Sequence, residues 1–286
     1  MQAVPAPAPK TGIGRFRVFS TDAEKFAQDW AHLPEAPLAW AMDPNVTAQP
    51  GVEGGFWVTA PPYRGYAKPL AAGRSNPHLY PVAAVEKIAS DLARSIDVPV
   101  PPVTLWQRLN APAGEPQHHA VSAPPFANTM RWGDIAGVPS VYDPLKAMAA
   151  EVMSAMVPFD TWVQCEDHVG NPGNLLVTTI AGPPLRAYFA FIDYSYSQVH
   201  KWRAASGYQS GFVAPMYDAA LTPDIGIMRE AIDAVLGVSD GVILKIVGDV
   251  PDPYLSPADK GAIIDGLRYR RDNLRKLIGV IHPGVL

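Results

Sequence analysis

An α+β chain in two lobes, strand-rich up to about residue 122 and mainly helical after about residue 127, is the fold class this sequence predicts. Three observations carry it. Short alternating runs rich in aromatic and β-branched residues fall before residue 122, with one later pair. A single amphipathic helix interrupts the early runs at 79–96. Long apolar stripes at helical spacing fill most of the remainder.

Residues 1–13 are rich in Ala and Pro and are expected to be disordered. Residues 16–19 have the character of a strand or extended segment, and 34–55 are dense in Pro and Gly without a clear element. Residues 56–58 and 66–68 read as two strands around the Pro61-Pro62 turn. Over 79–96, Val82, Val85, Ile88, Ala89, Leu92 and Ile96 recur at spacings of three and four, which predicts the helix. Prolines 99, 101 and 102 end it. Residues 103–106 and 119–122 then read as strands around a hairpin loop, and 123–126 as an extended connector.

Leu145, Met148, Ala149, Val152, Met153 and Met156 predict a helix over 144–157. Residues 175–177 and the run 187–197 read as two strands. Helices are expected at 226–236, 240–248 and 257–280. The last carries Arg268, Arg270, Arg271, Arg275 and Lys276, read as a basic, solvated face.

Composition bounds the partners. Hydrophobic residues make up 48% and charged residues 17% of the 286, enough for a substantial core. The net charge is −4, so neither nucleic acid nor an anionic membrane is an expected partner. Proline accounts for 31 residues, about twice the usual ~5% share, which predicts many loops within a folded domain. A single cysteine, Cys165, cannot form an internal disulfide and reads as a small buried residue. No apolar leader or membrane-length run is present in the sequence, and a cytoplasmic location is expected.

Several residues are candidates for chemistry. Lys68 ends a strand-like segment and, taken alone, reads as an ordinary exposed lysine. Glu86 lies 18 residues on, beside the apolar stripe of the first helix, where a carboxylate wants a cation. Lys68 is one partner for it; Lys87 or Arg94 at the surface is the other. The stretch 166–174 packs Glu166, Asp167, His168, Asn171 and Asn174 into nine residues. Such oxygen-rich side chains suit magnesium, while the glycines and proline among them also describe a plain turn. Asp193 is the lone acid of an otherwise apolar strand, and a carboxylate there is costly unless paired or bound to metal. A strand lysine, a helix acid, Asp/Asn metal ligands and a carboxylate near the reacting hydroxyl are the groups that phosphoryl transfer requires.

Four stretches carry a family resemblance: Tyr66-Ala-Lys-Pro-Leu70; the helix containing 84–93 with the prolines after it; 159–177; and 190–197. In order and spacing they resemble the HipA-like kinases and, more distantly, the phosphatidylinositol kinases, as does the terminal basic helix. The resemblance implies a two-lobed protein kinase-like fold that uses ATP and magnesium. Residues 14–122 would be the strand-rich N-lobe, 123–126 the hinge and 127–286 the helical C-lobe. Lys68 would meet the nucleotide phosphates and Glu86 would orient it. Ala123, Pro124 and Phe126 would lie at the hinge against adenine. Asp193 would bind the metal with Asn171 or Asn174, and Asp167 would be the catalytic base.

The loop departs from the family's Asp-Arg-His-x-x-Asn pattern. Aligning His168 and Asn171 to it puts Glu166 at the base position; taking Asp167 as base changes the spacing, and the arginine is missing. No G-x-G-x-x-G loop is present either. The reading is therefore an ATP/Mg-dependent kinase acting on a hydroxyl of a protein Ser/Thr or a small molecule, with a nucleotide-binding pseudokinase as the alternative. A metal-dependent hydrolase built on Asp167, His168 and Asp193 would need further ligands. The adjacent His118 and His119 point to opposite faces of a strand and are expected to face solvent.

Overall fold

The computed structural model describes residues 12–16, 40–43, 55–60, 63–69, 81–113, 115, 117–122, 129–168, 171–180, 186–195, 197 and 207–286. Five strands form one sheet: β1 (Ala41–Met42), β2 (Phe56–Ala60), β3 (Tyr63–Pro69), β4 (Val103–Gln107) and β5 (His118–Ser122). Their order is β1-β2-β3-β5-β4, every pair antiparallel. A second sheet, β6-β7-β8, joins β6 (Met130–Arg131), β7 (Leu175–Ile180) and β8 (Arg186–Phe191).

The two-residue period of β3 sorts its side chains. Ala67 joins Trp40, Val58, Ala60, Trp106 and Val121 in a small cluster on one face. Lys68 is opposite Ala120, which faces Leu105, and these alternate residues face the other way. That second face is covered by α1 (Val82–Ser95), whose Val85, Ile88, Ala89 and Leu92 belong to the main core with Val103, Leu105 and Ala120. Ser90 fixes the segment between α1 and β4: its Oγ donates to the Pro101 carbonyl at 2.8 Å and accepts from Val103 N at 3.1 Å. Phe191 N, on β8, donates to the Pro99 carbonyl at 2.9 Å, so the same segment is tied to the second sheet.

The helical part comprises α2 (Trp132–Ala136), α3 (Pro139–Val163), α4 (Ile225–Leu236), α5 (Asp240–Gly248) and α6 (Pro257–Gly279). Each of the last three starts at a side-chain cap: Asp224 accepts from Ile227 N, Ser239 from Val242 N and Ser256 from Asp259 N. α3 is longer at both ends than the stripe over 144–157 predicts and runs through Pro144 and Pro158. Burial of Val152, Met153, Met156, Phe159, Trp162 and Val163 outweighs the proline penalty of ~3 kcal/mol.

Three other expectations change. Gly12–Phe16 is a 3-10 turn in which Ile13 is 7% exposed, so the disorder expected up to residue 13 does not include that residue, and Phe16 is not in a strand. His119 does not face solvent: it lies 5.1 Å from the Trp106 ring and 5.3 Å from Phe56, and burial pushes its imidazole down to about 4. Arg270 is not on a solvated face but fully buried. It stands on the apolar stripe of α6, at the spacing Ile263, Leu267, Arg270, Leu274. Its guanidinium donates to the carbonyls of Thr161, Trp162, Tyr208, Ser210 and Phe212, fastening the coil at 208–212 to the end of α3.

Candidate active site

Lys68 stands where β3, α1 and the segment after β8 meet. Its Nζ lies 2.5 Å from Glu86 Oε1, 2.6 Å from Asp193 Oδ1 and 3.4 Å from Ser195 Oγ. Among the described residues the ammonium thus has an acceptor for each of its three N–H donors. The lysine is 8% exposed and Glu86 5%, so neither is an ordinary surface group. Glu86 takes Lys68 rather than a neighbour on its own helix; Lys87 pairs with Asp91 at 2.8 Å.

The two carboxylates on Lys68 differ. Burial raises the Glu86 carboxyl above its usual value, despite the lysine. Burial pushes Asp193 the same way, but the Lys68 ammonium and the Lys68 and Ser195 hydrogen bonds outweigh it and hold the carboxyl low. Asp193 is not inside a strand as its apolar neighbours predict. It lies two residues beyond β8 and has φ 69°, a left-handed conformation that aspartate tolerates better than most side chains. Its side chain is 32% exposed.

The loop at 166–174 separates its candidates. Glu166 is exposed, with Gln164 Nε2 at 3.4 Å. Asp167 is half-buried, and its Oδ2 accepts from Asn174 Nδ2 at 3.0 Å. Asn174 in turn is 7% exposed, and its carbonyl accepts from Ile192 N at 2.9 Å, which sets it beside the residue preceding Asp193. Asn171 caps the short turn Pro172–Asn174. The close approach of Pro172 to Gly133 seats that turn on α2: a Cβ at Gly133 would stand 3.2 Å from Pro172 Cγ.

His168 is buried. It is 3% exposed, with Nδ1 2.9 Å from Asp160 Oδ2 and Nε2 2.9 Å from the Ile192 carbonyl. Nδ1 also meets the Tyr217 hydroxyl; with an acceptor at each nitrogen the site favours a proton on both, an imidazolium paired with Asp160. Burial opposes that charge, but Cys165 and Asp160 outweigh it and raise the imidazole well above its usual value. Asp160 also accepts from Tyr194 Oη at 3.2 Å and Tyr217 Oη at 2.9 Å. His168, one of the candidates for chemistry, joins α3, the 166–174 loop, the segment before Asp193 and the coil at 217.

Sequence reasoning missed Asp160, Ser195, Tyr217 and Arg270. Asp160 had a signal: it falls on the stripe Ala149, Met153, Met156, Asp160, Val163 of α3, a lone acid among apolar residues. Ala123, Pro124 and Phe126 lie outside the described residues.

Magnesium fits part of this site. Lys68 and Ser195 both bond Asp193 through Oδ1, and no described residue pairs with Oδ2. Asn174 donates through Nδ2, which leaves its amide oxygen as an acceptor. These are hard oxygen donors on neighbouring backbone segments, of the kind magnesium takes. Asp160, Cys165 and His168 also cluster, with ligand atoms within 4.8 Å of one another, but both His168 nitrogens are already spent as donors. Cys165 is fully buried and its thiol is pushed up to about 11 by burial, so it is no nucleophile.

A solved structure of a Helicobacter pylori proinflammatory kinase, CtkA, is similar to this chain. The TM-score is 0.55 at 13% identity, covering 84% of this chain and 95% of that one. The fold is kinase-like. A microcompartment-associated aminopropanol kinase aligns over 92% of this chain and 98% of its own, at 11% identity and a TM-score of 0.24, too low to bear on the fold. No protein-family model matches the chain, and neither does any curated protein. Among the described residues no helix is long and apolar enough to cross a membrane.

Proposed function

We propose that this chain is an ATP- and magnesium-dependent kinase that transfers a phosphoryl group to a hydroxyl, with a protein Ser/Thr as the first substrate class to test. One observation carries the reading: a single buried ammonium, Lys68, holds a helix carboxylate, Glu86, and a partly exposed carboxylate, Asp193, delivered from 125 residues away. Phosphoryl transfer is mainly positioning and charge neutralisation, and this arrangement supplies both. The kinase-like fold and the motif resemblance to HipA-like kinases support it.

In this reading residues 14–122 and 127–286 are two lobes, with 123–126 between them. Lys68 binds the nucleotide phosphates, and Glu86 keeps the ammonium charged and aimed. Asp193 and Asn174 hold magnesium, which supplies charge neutralisation at the phosphates. Asp167 is the base: it is the half-buried carboxylate bonded to Asn174, whereas Glu166 is exposed beside Gln164. The nucleophile's proton passes to an Asp167 carboxylate oxygen.

Thermal melting with and without Mg-ATP tests this. ATP at ~100 times its dissociation constant adds ~2.7 kcal/mol, or a few degrees. A rise that Lys68→Ala abolishes, together with transfer of labelled phosphate to a Ser/Thr protein, supports the kinase. A rise without transfer to any acceptor supports the pseudokinase. No rise sinks both.

A further inference from the structure

We infer that Ser195 is a positioning residue for the divalent cation, holding Asp193 Oδ1 together with Lys68 so that Oδ2 is presented to the metal. The inference rests on the nucleotide-and-magnesium reading above.

Asp193 lies beyond the last ladder pair of β8 and has the left-handed φ of 69°. A carboxylate torsion is broad and two-fold, so an unrestrained aspartate presents either oxygen. Here one oxygen is claimed twice. Lys68 Nζ donates to Oδ1 at 2.6 Å, and the Ser195 hydroxyl donates to the same atom. Among the described residues Oδ2 has no partner, while the side chain keeps a third of its surface exposed.

Ser195 is built for this task rather than left at the surface. It is 2% exposed, and the turn closed by Ser197 N on the Tyr194 carbonyl at 2.9 Å carries it back over Asp193. A hydroxyl has one proton and two lone pairs. Its proton goes to Asp193, and a lone pair accepts from Lys68 at 3.4 Å. That is the longest of the three Lys68 bonds, hence the one a ligand oxygen displaces first. When a phosphate takes that lysine proton, Ser195 still donates to Asp193. The same burial and engagement leave its hydroxyl unsuited to accept a phosphoryl group.

The test is ATP binding by calorimetry across a magnesium titration, with a metal-free arm in EDTA. Wild type is compared with Ser195→Ala, which leaves a small hole, and Ser195→Cys, which fills it without a strong donor. Removing a hydrogen-bond partner of a metal ligand typically weakens metal affinity ~10–100-fold, so the magnesium needed for half-saturation rises at least ~10-fold in both variants. Metal-free ATP affinity falls much less than the magnesium requirement rises, since Lys68 keeps its two shorter bonds, to Glu86 and Asp193. An unchanged magnesium requirement in either variant overturns the assignment, and so does an equal loss of metal-free binding, which would mark Ser195 as a plain structural residue. Failure of wild type to bind ATP in both arms removes the nucleotide reading itself, and the Ser195 assignment with it.

Discussion

Lys68 Nζ lies 2.6 Å from Asp193 Oδ1, although 125 residues separate them: the lysine belongs to β3 of the five-stranded sheet and the aspartate to the exit of β8 in the other. Glu86 completes the group at 2.5 Å from the same nitrogen. One cation thus offsets two carboxylates, and its removal takes from both the ammonium bonded to them.

That asymmetry makes the stability of a Lys68 variant pH-dependent. Breaking a buried pair by removing one partner costs about 3–5 kcal/mol. In Lys68→Met, Glu86 loses the cation opposing the burial that already raises it, so its folded value climbs further. A carboxyl whose folded value is raised contributes fully below its unfolded value near 4.5 and loses that contribution as pH rises. Lys68→Met is therefore expected to lose about 3 kcal/mol at pH 8 and clearly less at pH 5, with Glu86→Gln added to it recovering at least half of the pH 8 loss. Urea unfolding at both pH values measures this. Equal losses at the two pH values, or no recovery in the double variant, would show that charge is not the cause.

The His168–Asp160 pair gives a second pH signature of the same sign. His168 is raised above its unfolded value of about 6.5. Its stabilisation is complete below pH ~6.5 and is lost as pH rises through the folded value. The groups facing it are Asp160 on α3, Cys165, the Tyr194 ring and the Tyr217 hydroxyl, with the Asp193 carboxylate coupled to it. The urea midpoint of wild type should fall relative to that of His168→Gln as pH goes from ~6.5 towards ~9. A difference that is constant across this range, or that grows with pH, counts against an imidazolium.

The order of elements was legible because periodicity was strong. The 3.6-residue stripes of α1, α4, α5 and α6 and the alternation in β2 to β5 each matched an element to within a few residues. Buried charge was harder to read. Asp193 stood out because its strand was otherwise apolar, and Asp160 satisfied the same criterion on α3 without being singled out. Arg270 was hidden by its neighbours: among Arg268, Arg271 and Arg275 it looked like one more surface cation, although its phase put it inside. The loop at 166–174 has no period, so only contacts such as Asp167 to Asn174 distinguish one acid from the next.

Arg270 should dominate the stability of the helical part. Its guanidinium satisfies five backbone carbonyls with no carboxylate among them, and burial pulls it down to about 10. Arg270→Met fills the volume but leaves those carbonyls without their donor, at about 1–3 kcal/mol for each one that stays dry. A loss of about 4 kcal/mol in urea unfolding is expected, with faster proteolysis in 207–218. Arg270→Lys should recover less than half, because an ammonium cannot span the planar fork of contacts. Full recovery by lysine would mean that charge alone, not the fork, holds the coil.

The two acids of the loop give the last test. Asp167 is half-buried and bonded to Asn174, whose carbonyl holds Ile192 N next to Asp193; Glu166 is exposed. A general base must lie within hydrogen-bond reach of the proton it takes, and losing it typically costs ~10²–10⁴-fold in rate. Asp167→Asn is expected to lower phosphoryl transfer at least ~100-fold with Mg-ATP binding retained, while Glu166→Gln changes the rate less than ~10-fold. Single-turnover transfer, with binding measured separately, distinguishes the two. If Glu166→Gln is the more damaging, the loop aligns on His168 and Asn171 after all and Glu166 is the base. If neither matters and transfer persists, the carboxylates of this loop do not take the proton.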